Sequence, residues 1–133
     1  MTPQPPTNVC SRHCPSHGVL DLIANRWSVL ILYVLQRDGT RRYSDLQHTL
    51  EGISQKMLTQ TLRALERDGL VRRTAYPVVP PHTEYSLTEL AHSLSEITTM
   101  MGLWAMSNMP AVLESRARYD RRRETINNES SSE

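Results

Sequence analysis

A chain of 133 residues is long enough for one domain with a modest core and too short for two domains of usual size. Residues 1–9 and 124–133 are polar or proline-rich, and we expect both ends to be disordered. No apolar run approaches the roughly 20 residues that a membrane helix needs, and no basic-then-apolar start predicts a secretory signal. We therefore expect a cytoplasmic protein with no membrane partner.

The net charge of +1 does not by itself indicate a nucleic-acid partner, but the charge is unevenly distributed. The stretch from Arg37 to Arg73 holds eight basic and five acidic residues, a local excess of three positive charges. The basic residues are arginines except Lys56. Arginine suits bidentate contacts with phosphate and guanine, although a GC-rich genome explains the preference equally well.

Two helices are predicted at the start of the chain. Residues 14–24 form a short helix with Pro15 at its first helical position, where a missing amide hydrogen costs little. Residues 27–37 are densely apolar, which predicts a helix buried on most sides. Gly39 ends this second helix.

A helix-turn-helix follows. Ser44 and Gln47 fit a capping box that opens a helix to about Leu50. Gly52 makes the turn, and Ser54 is a suitable N-cap for a helix that runs through residue 68.

The second helix of this pair has two faces. Leu58, Leu62 and Leu65 repeat at spacings of four and three residues, so they face the core. The polar residues between them fall on the outer side: Gln55, Lys56, Thr59, Gln60 and Arg63. A helix with such an outer face, followed by basic residues on a strand, is suited to the DNA major groove.

Residues 71–76 and 83–87 are predicted strands of a hairpin, and the proline-rich residues 77–82 form its projecting tip. Thr88 then caps a long helix. Its apolar residues repeat at four, three, four and three, the seam of a coiled coil that predicts a dimer interface: Leu90, Leu94, Ile97, Met101 and Trp104.

We predict a mainly α fold with a small β-hairpin wing, a winged helix-turn-helix with α-helical dimerisation elements. The expected organisation is a flexible arm over residues 1–13 and a winged domain with dimerisation helices over 14–109. A C-terminal helix over 110–123 and a disordered tail over 124–133 complete the chain.

Several short sequence motifs together resemble those of the HxlR-type winged-helix transcriptional regulators, relatives of the MarR group. These motifs are Cys14-Pro15, Leu22-Ile-Ala-Asn-Arg-Trp27, Arg42-Tyr-Ser-Asp-Leu46, Gly52-Ile-Ser54, Leu65-Glu-Arg-Asp-Gly-Leu-Val71 and Pro80-Pro-His-Thr-Glu-Tyr-Ser-Leu-Thr88. The sequence departs from the family pattern at Arg26 (usually Lys), Tyr43 (usually Phe) and Ala91 (commonly Gly), and we expect none of the three to touch the reading surface.

The resemblance implies a homodimeric DNA-binding regulator, commonly a repressor, that requires no cofactor and binds a pseudo-palindromic double-stranded operator. In such folds the N-terminal half of the second helix reaches base edges, which implies base contacts from the polar face of residues 55–63. Ser54 is then a candidate phosphate contact through its amide. Candidate backbone contacts are Arg41, Arg42, Arg72 and Arg73, and His82 is a candidate for the minor groove from the wing tip. The alternative for each arginine is an ion pair with a nearby carboxylate.

The segment with Cys10, His13, Cys14 and His17 has three interpretations. Cys14 precedes a helix start, where amide dipoles favour a thiolate, and some relatives with a cysteine at this place sense oxidants or electrophiles. Cys10 would then resolve an oxidised Cys14 as a disulfide. Alternatively Cys14 is an inert thiol packed at the dimer interface. Zinc is the third interpretation, but one eight-residue stretch would wrap an ion poorly, and we expect no metal.

Two other functional classes remain. An enzyme would need carboxylates or histidines placed in a pocket, and the sequence shows no such grouping, so we expect none. A winged helix that binds protein instead of DNA, or a ligand-responsive regulator without redox sensing, remains an alternative, because fold alone does not fix function.

Overall fold

The computed structural model describes residues 8–132 as five helices and a small antiparallel sheet. The elements in chain order are α1 (Ser16–Ile23), α2 (Arg26–Asp38), β1 (Arg41–Arg42), α3 (Tyr43–Thr49), α4 (Gln55–Arg67), β2 (Val71–Tyr76), β3 (His82–Leu87) and α5 (Glu89–Ser131). The strands lie in the order β1-β3-β2, with β3 in the centre. This arrangement confirms the predicted mainly helical winged fold.

The core forms where α4 packs with α2, α3 and the sheet. Leu58, Leu62 and Leu65 of α4 are buried, as their spacing predicted. They share one apolar cluster with residues of the surrounding elements: Ile31, Leu32 and Leu35 of α2, Leu46 of α3, Val71 of β2 and Tyr85 of β3. Burial of each leucine side chain stabilises the fold by about 1.5–3 kcal/mol, so this face fixes the orientation of α4.

Local hydrogen bonds fix both ends of α4. The Ser54 hydroxyl accepts a hydrogen bond from the Met57 amide at 3.0 Å, which confirms Ser54 as the N-cap. At the other end Gly69 adopts a φ of 77°, a conformation that favours glycine. The amide of Leu70 then donates to the carbonyl of Leu65 at 2.9 Å, as in a Schellman motif. The length and phase of α4 are therefore set locally.

The start of α3 differs from the predicted capping box. Arg41 and Arg42 pair with Tyr85 and Glu84 of β3, a strand too short to be predicted from periodicity. Arg42 is therefore extended (φ −76°, ψ 157°) and stands at the N-cap of α3 without a side-chain capping bond. Because pairing with β3 sets where the helix begins, Ser44 lies inside it and the capping-box prediction is wrong.

The C-terminal region also differs from prediction, because one helix, α5, runs from Glu89 to Ser131. Pro110 lies inside it and does not separate two helices. Proline removes one backbone hydrogen bond, but the residues that follow it include good helix formers such as Ala111 and Leu113, and the helix continues. Residues 124–131, predicted to be disordered, are also helical. Hydroxyls there bond back to the helix backbone, as Ser130 does to the Ile126 carbonyl at 2.8 Å.

The packing divides the chain after Thr99 into two units, so the domain boundary predicted at 109/110 falls inside the second. In the first unit α5 packs through small residues, since Ala91, Ser95 and Thr98 are buried. Ser95 also donates a hydrogen bond to the side-chain oxygen of Gln36 on α2. The Thr88 hydroxyl donates to the Gly69 carbonyl at 2.6 Å, which joins the start of α5 to the end of α4.

Residues 1–7 of the predicted flexible arm lie outside the described residues. Residues 8–13 form turns with local hydrogen bonds, such as that from the Ser11 amide to the Asn8 carbonyl at 3.0 Å. Helix α1 begins at Ser16, so Pro15 stands at its N-cap instead of its first helical position.

Between residues 8 and 132, no single helix has both the length and the apolar character to cross a membrane. Only α1 and α2 taken together, with a bend of 76° between them, meet those two criteria.

The Ser54 cap gives a stability prediction. Ser54→Ala should lower the free energy of unfolding by about 1 kcal/mol, because the Met57 amide loses its side-chain acceptor. Ser54→Asp keeps an acceptor and is the matched control, expected within a few tenths of a kcal/mol of the native protein. Urea denaturation followed by circular dichroism measures both variants. Equal destabilisation by the two would contradict the capping role.

Candidate nucleic-acid interface

The polar face of α4 lies opposite its buried leucines. The side chains of Gln55, Lys56, Gln60 and Arg63 are exposed, and Thr59 is half-buried. The core therefore holds a helix whose outer face offers hydrogen-bond donors and acceptors. This is the arrangement that the spacing predicted, while the role of each side chain stays a prediction.

Tyr43, the first residue of α3, contacts the first turns of α4. Its hydroxyl donates to the Gln55 carbonyl at 3.1 Å and lies 2.9 Å from the Thr59 hydroxyl. The expectation that no departure from the family pattern touches the reading surface is therefore wrong at Tyr43. The pattern showed the tyrosine, but only the packing of α3 on α4 brings its hydroxyl to Thr59.

The candidate phosphate-binding arginines differ in their surroundings. Arg41 lies 3.8 Å from the Asp38 carboxylate, which also accepts two hydrogen bonds of 2.9 Å from Arg37. Chiefly through the bond from Arg37, these cations hold the pKa of Asp38 below its usual value, so Asp38 is ionised and attracts Arg41. The Arg41 side chain is therefore attracted to a carboxylate of the protein itself, which leaves it less available to a phosphate.

Arg42, Arg72 and Arg73 are exposed, and none makes an ion pair within residues 8–132. Arg42 lies on β1, at one edge of the sheet, and the other two lie on β2, at the opposite edge. Both edges of the sheet therefore carry cations that remain available to a polyanion.

A cleft of about 400 Å³ lies between α4 and the sheet. It is lined by Thr59, Arg63, Glu66, Arg73 and Tyr85. The cleft is open to solvent and combines two cations with one carboxylate, so it joins the polar face of α4 to Arg73 of β2.

The wing differs from prediction at His82. This residue pairs with Tyr76 at the base of the tip, where the two rings stack at 4.8 Å, and its Nε2 lies 3.5 Å from a carboxylate oxygen of Glu84. His82 is thus held at the base by neighbouring strands, and the expectation that it reaches out from the tip is wrong. The side chain at the tip is Val79, which is 99% exposed. Sequence reasoning missed it because a valine in a proline-rich loop carries no polar signal.

The two thiols of the cysteine segment differ in their burial. Cys14 is 6% exposed and its sulfur lies 2.9 Å from the Ser16 hydroxyl, whereas Cys10 is exposed. The His17 ring donates to the Val9 carbonyl at 2.5 Å, and His13 accepts from Arg12 at 3.3 Å. Across the described part of the chain, no three His, Cys, Asp or Glu residues come together as a metal-binding group.

The residues of the predicted dimer seam on α5 differ in exposure. Leu94 is half-buried against the core of its own domain, and its place in a dimer interface stays a prediction. The other four members are more than half exposed: Leu90, Ile97, Met101 and Trp104. Leu90 and Ile97 belong to the first unit, and Met101 and Trp104 belong to the second.

Comparison with known proteins identifies this architecture. Residues 22–112 match the model of the HxlR-like helix-turn-helix family. The HTH-type transcriptional regulator YtfH of Escherichia coli is 51% identical over 106 residues, which are 80% of this chain and 83% of YtfH. The structure of the putative transcriptional regulator ytfH from Salmonella typhimurium is 49% identical with a TM-score of 0.79, over 83% of this chain and 97% of that one.

The redox regulator HypR in its oxidized form is also similar, with 41% identity and a TM-score of 0.65 over 71% of this chain and 97% of HypR. The family match covers the helix-turn-helix, the wing and the start of α5. The chain therefore belongs to the HxlR-like helix-turn-helix family and is a transcriptional regulator of the winged-helix, MarR-like type.

Proposed function

We propose that the protein is a homodimeric repressor that binds a pseudo-palindromic operator, with α4 of each protomer in a major groove. The observation that carries the proposal is the polar face of α4, exposed because three leucines on its other side are buried. Side chains of this face match base edges: glutamine bonds adenine, and lysine or arginine bonds guanine. A regulator that acts on DNA works where the chromosome is, and we infer a cytoplasmic location.

The free arginines support backbone contacts from both edges of the sheet. Arg42 on one sheet edge, and Arg72 and Arg73 on the other, lie exposed without ion pairs among residues 8–132. Phosphate contacts of this kind fix the register of a protein on DNA, while base contacts give specificity. Arg41 contributes less because Asp38 lies 3.8 Å away. The apolar Val79 then approaches the sugar edges of the minor groove in place of His82.

The exposed residues of the predicted seam, Leu90, Ile97, Met101 and Trp104, support the dimer. Exposed apolar residues repeated at seven, four and three positions along one helix are the pattern of a helix that packs on a second copy. In a dimer with two-fold symmetry, the two α4 helices would address half-sites about 34–36 Å apart or a multiple of that distance. Repression follows if the bound operator overlaps a promoter, and the family resemblance favours a repressor over an activator.

Lys56→Ala and Arg63→Ala test the base contacts. Each should lower operator affinity by about 1–3 kcal/mol and relax the preference at one base pair, because the base loses its hydrogen-bonding partner. Fluorescence anisotropy with the native and single-mismatch operators measures both effects. Arg67→Ala is the matched control, since Arg67 lies at the far end of α4 in a groove with Pro15 and Gly18 of the α1 region. Equal weakening on every sequence would make the residue a phosphate contact instead.

Ile97→Asp tests the dimer. A carboxylate in a closely packed apolar interface loses its hydration without gaining a partner, so the variant should sediment as a monomer at micromolar concentration. His92→Asp is the control, because it adds the same charge to an exposed position on another face of α5. Analytical ultracentrifugation distinguishes the two. A native protein that is already monomeric would contradict the dimer, and no operator binding at low salt would favour a protein-binding role.

We further propose that oxidation of Cys14 releases the operator. The likeness to HypR, a redox regulator known in an oxidized form, supports this step. Cys14 stands two residues before α1 and is nearly buried, so new atoms on its sulfur would displace that helix. An oxidant that accepts two electrons and two protons would join Cys14 and the exposed Cys10 as a disulfide, within or between subunits. A ligand-responsive regulator without redox sensing is the alternative.

Diamide treatment tests the switch, because diamide takes two hydrogens from two thiols as a disulfide forms. We expect the treated native protein to lose at least tenfold in operator affinity, an effect of about 1.4 kcal/mol. Cys14→Ser should keep its affinity under the same treatment, and Cys10→Ser separates a disulfide from other products. Mass spectrometry of the treated samples identifies the product. An operator affinity that diamide leaves unchanged would contradict redox sensing by Cys14 and would leave the proposed DNA-binding function intact.

A further inference from the structure

The contact between Tyr43 and α4 determines where one hydrogen atom lies. A tyrosine hydroxyl has a single hydrogen, and a carbonyl oxygen only accepts. Because the Tyr43 hydroxyl donates to the Gln55 carbonyl at 3.1 Å, it has no hydrogen left for Thr59. The 2.9 Å contact with Thr59 is then a hydrogen bond in which Thr59 donates. Thr59 has thereby used its one hydrogen inside the protein.

The oxygen of Thr59 therefore keeps lone pairs and no free hydrogen. A free threonine hydroxyl rotates and serves as a donor or an acceptor, which is why serine and threonine discriminate poorly between bases. With its hydrogen held by Tyr43, Thr59 only accepts. On the major-groove edge, adenine N6 and cytosine N4 carry donor hydrogens, whereas guanine O6 and N7 and thymine O4 are acceptors.

Thr59 belongs to the polar face of α4. It is half-buried there, one turn from Gln55, Lys56 and Arg63, and it lines the open cleft shared with Arg73. We therefore expect a base that meets this face of α4 to reach the Thr59 oxygen.

We propose that Tyr43 is a positioning residue that holds Thr59 as a hydrogen-bond acceptor, so that α4 selects adenine or cytosine at one position of each half-site. The inference rests on the proposed function, since it names what one residue of the reading helix recognises. Phenylalanine at position 43 would keep the packing and leave Thr59 free to rotate. The hydroxyl of Tyr43 thus adds base specificity without itself contacting DNA.

Selection from a library of randomised duplexes tests the proposal, with the native protein and three variants compared for preference at every position. A comparison of Thr59→Val with the native protein should identify the base position that Thr59 contacts, because valine keeps the shape of the side chain and removes the hydrogen-bond acceptor. At that position we expect adenine or cytosine to be preferred over guanine or thymine by about two- to tenfold, the range for one neutral hydrogen bond. Thr59→Ser keeps the acceptor and should keep the preference.

Tyr43→Phe is the deciding variant. It should reduce the preference at the Thr59 position to less than twofold and leave the profile at all other positions unchanged. Loss of fold would instead weaken every position together, and thermal melting of each variant checks for it. A native protein that selects no sequence overturns the proposed function and this inference with it. A defined operator whose profile Tyr43→Phe does not alter, or that has guanine or thymine at the Thr59 position, overturns only the inference.

Discussion

Burial of one face of α4 is the constraint on which the rest of the structure depends. Leu58, Leu62 and Leu65 lie in a core formed with α2, α3 and the sheet, and together they contribute several kcal/mol to the fold. Rotating α4 to hide its polar face would expose these leucines. The helix that would read DNA is therefore held in one orientation by apolar contacts that never touch the ligand. The cap at Ser54 fixes the residue at which α4 begins, and Gly69 fixes the residue at which it ends.

The supports around α4 also prepare the reading surface. The pairing of β1 with β3 places the start of α3 so that the hydroxyl of Tyr43 reaches the first turns of α4. The same pairing places Arg42 on the sheet edge beside that start. A strand of only two residues thereby sets both the position of a cation and the contact between Tyr43 and Thr59. Buried apolar contacts give the orientation, and a few polar contacts adjust the surface that is presented.

Exposed apolar residues lie on two parts of the protein, helix α5 and the tip of the wing. Within the first unit α5 packs through Ala91, Ser95 and Thr98, which leaves the larger apolar residues Leu90 and Ile97 exposed. Small residues allow a close approach to the domain, so the larger ones are left for another surface. At the wing, stacking of Tyr76 on His82 holds the strand ends together and leaves Val79 outermost. The dimer and the DNA contact that we propose would cover these two features.

Elements with local sequence signals could be predicted before the fold was known. Helical periodicity placed the leucines of α4, and side-chain caps and turn glycines placed its ends, because each depends on residues within four or five positions. The order and spacing of several sequence motifs also indicated the family. Packing between elements determines that Arg41 and Arg42 form a strand, that Leu94 turns toward the core while Leu90 does not, and that Tyr43 contacts Thr59. These contacts join residues far apart in the chain or choose between faces of one helix, so they depend on how elements pack and leave no periodic signal. Pro110 lies inside α5, because a helix-breaking residue gives only a local tendency that the rest of a long helix overrides.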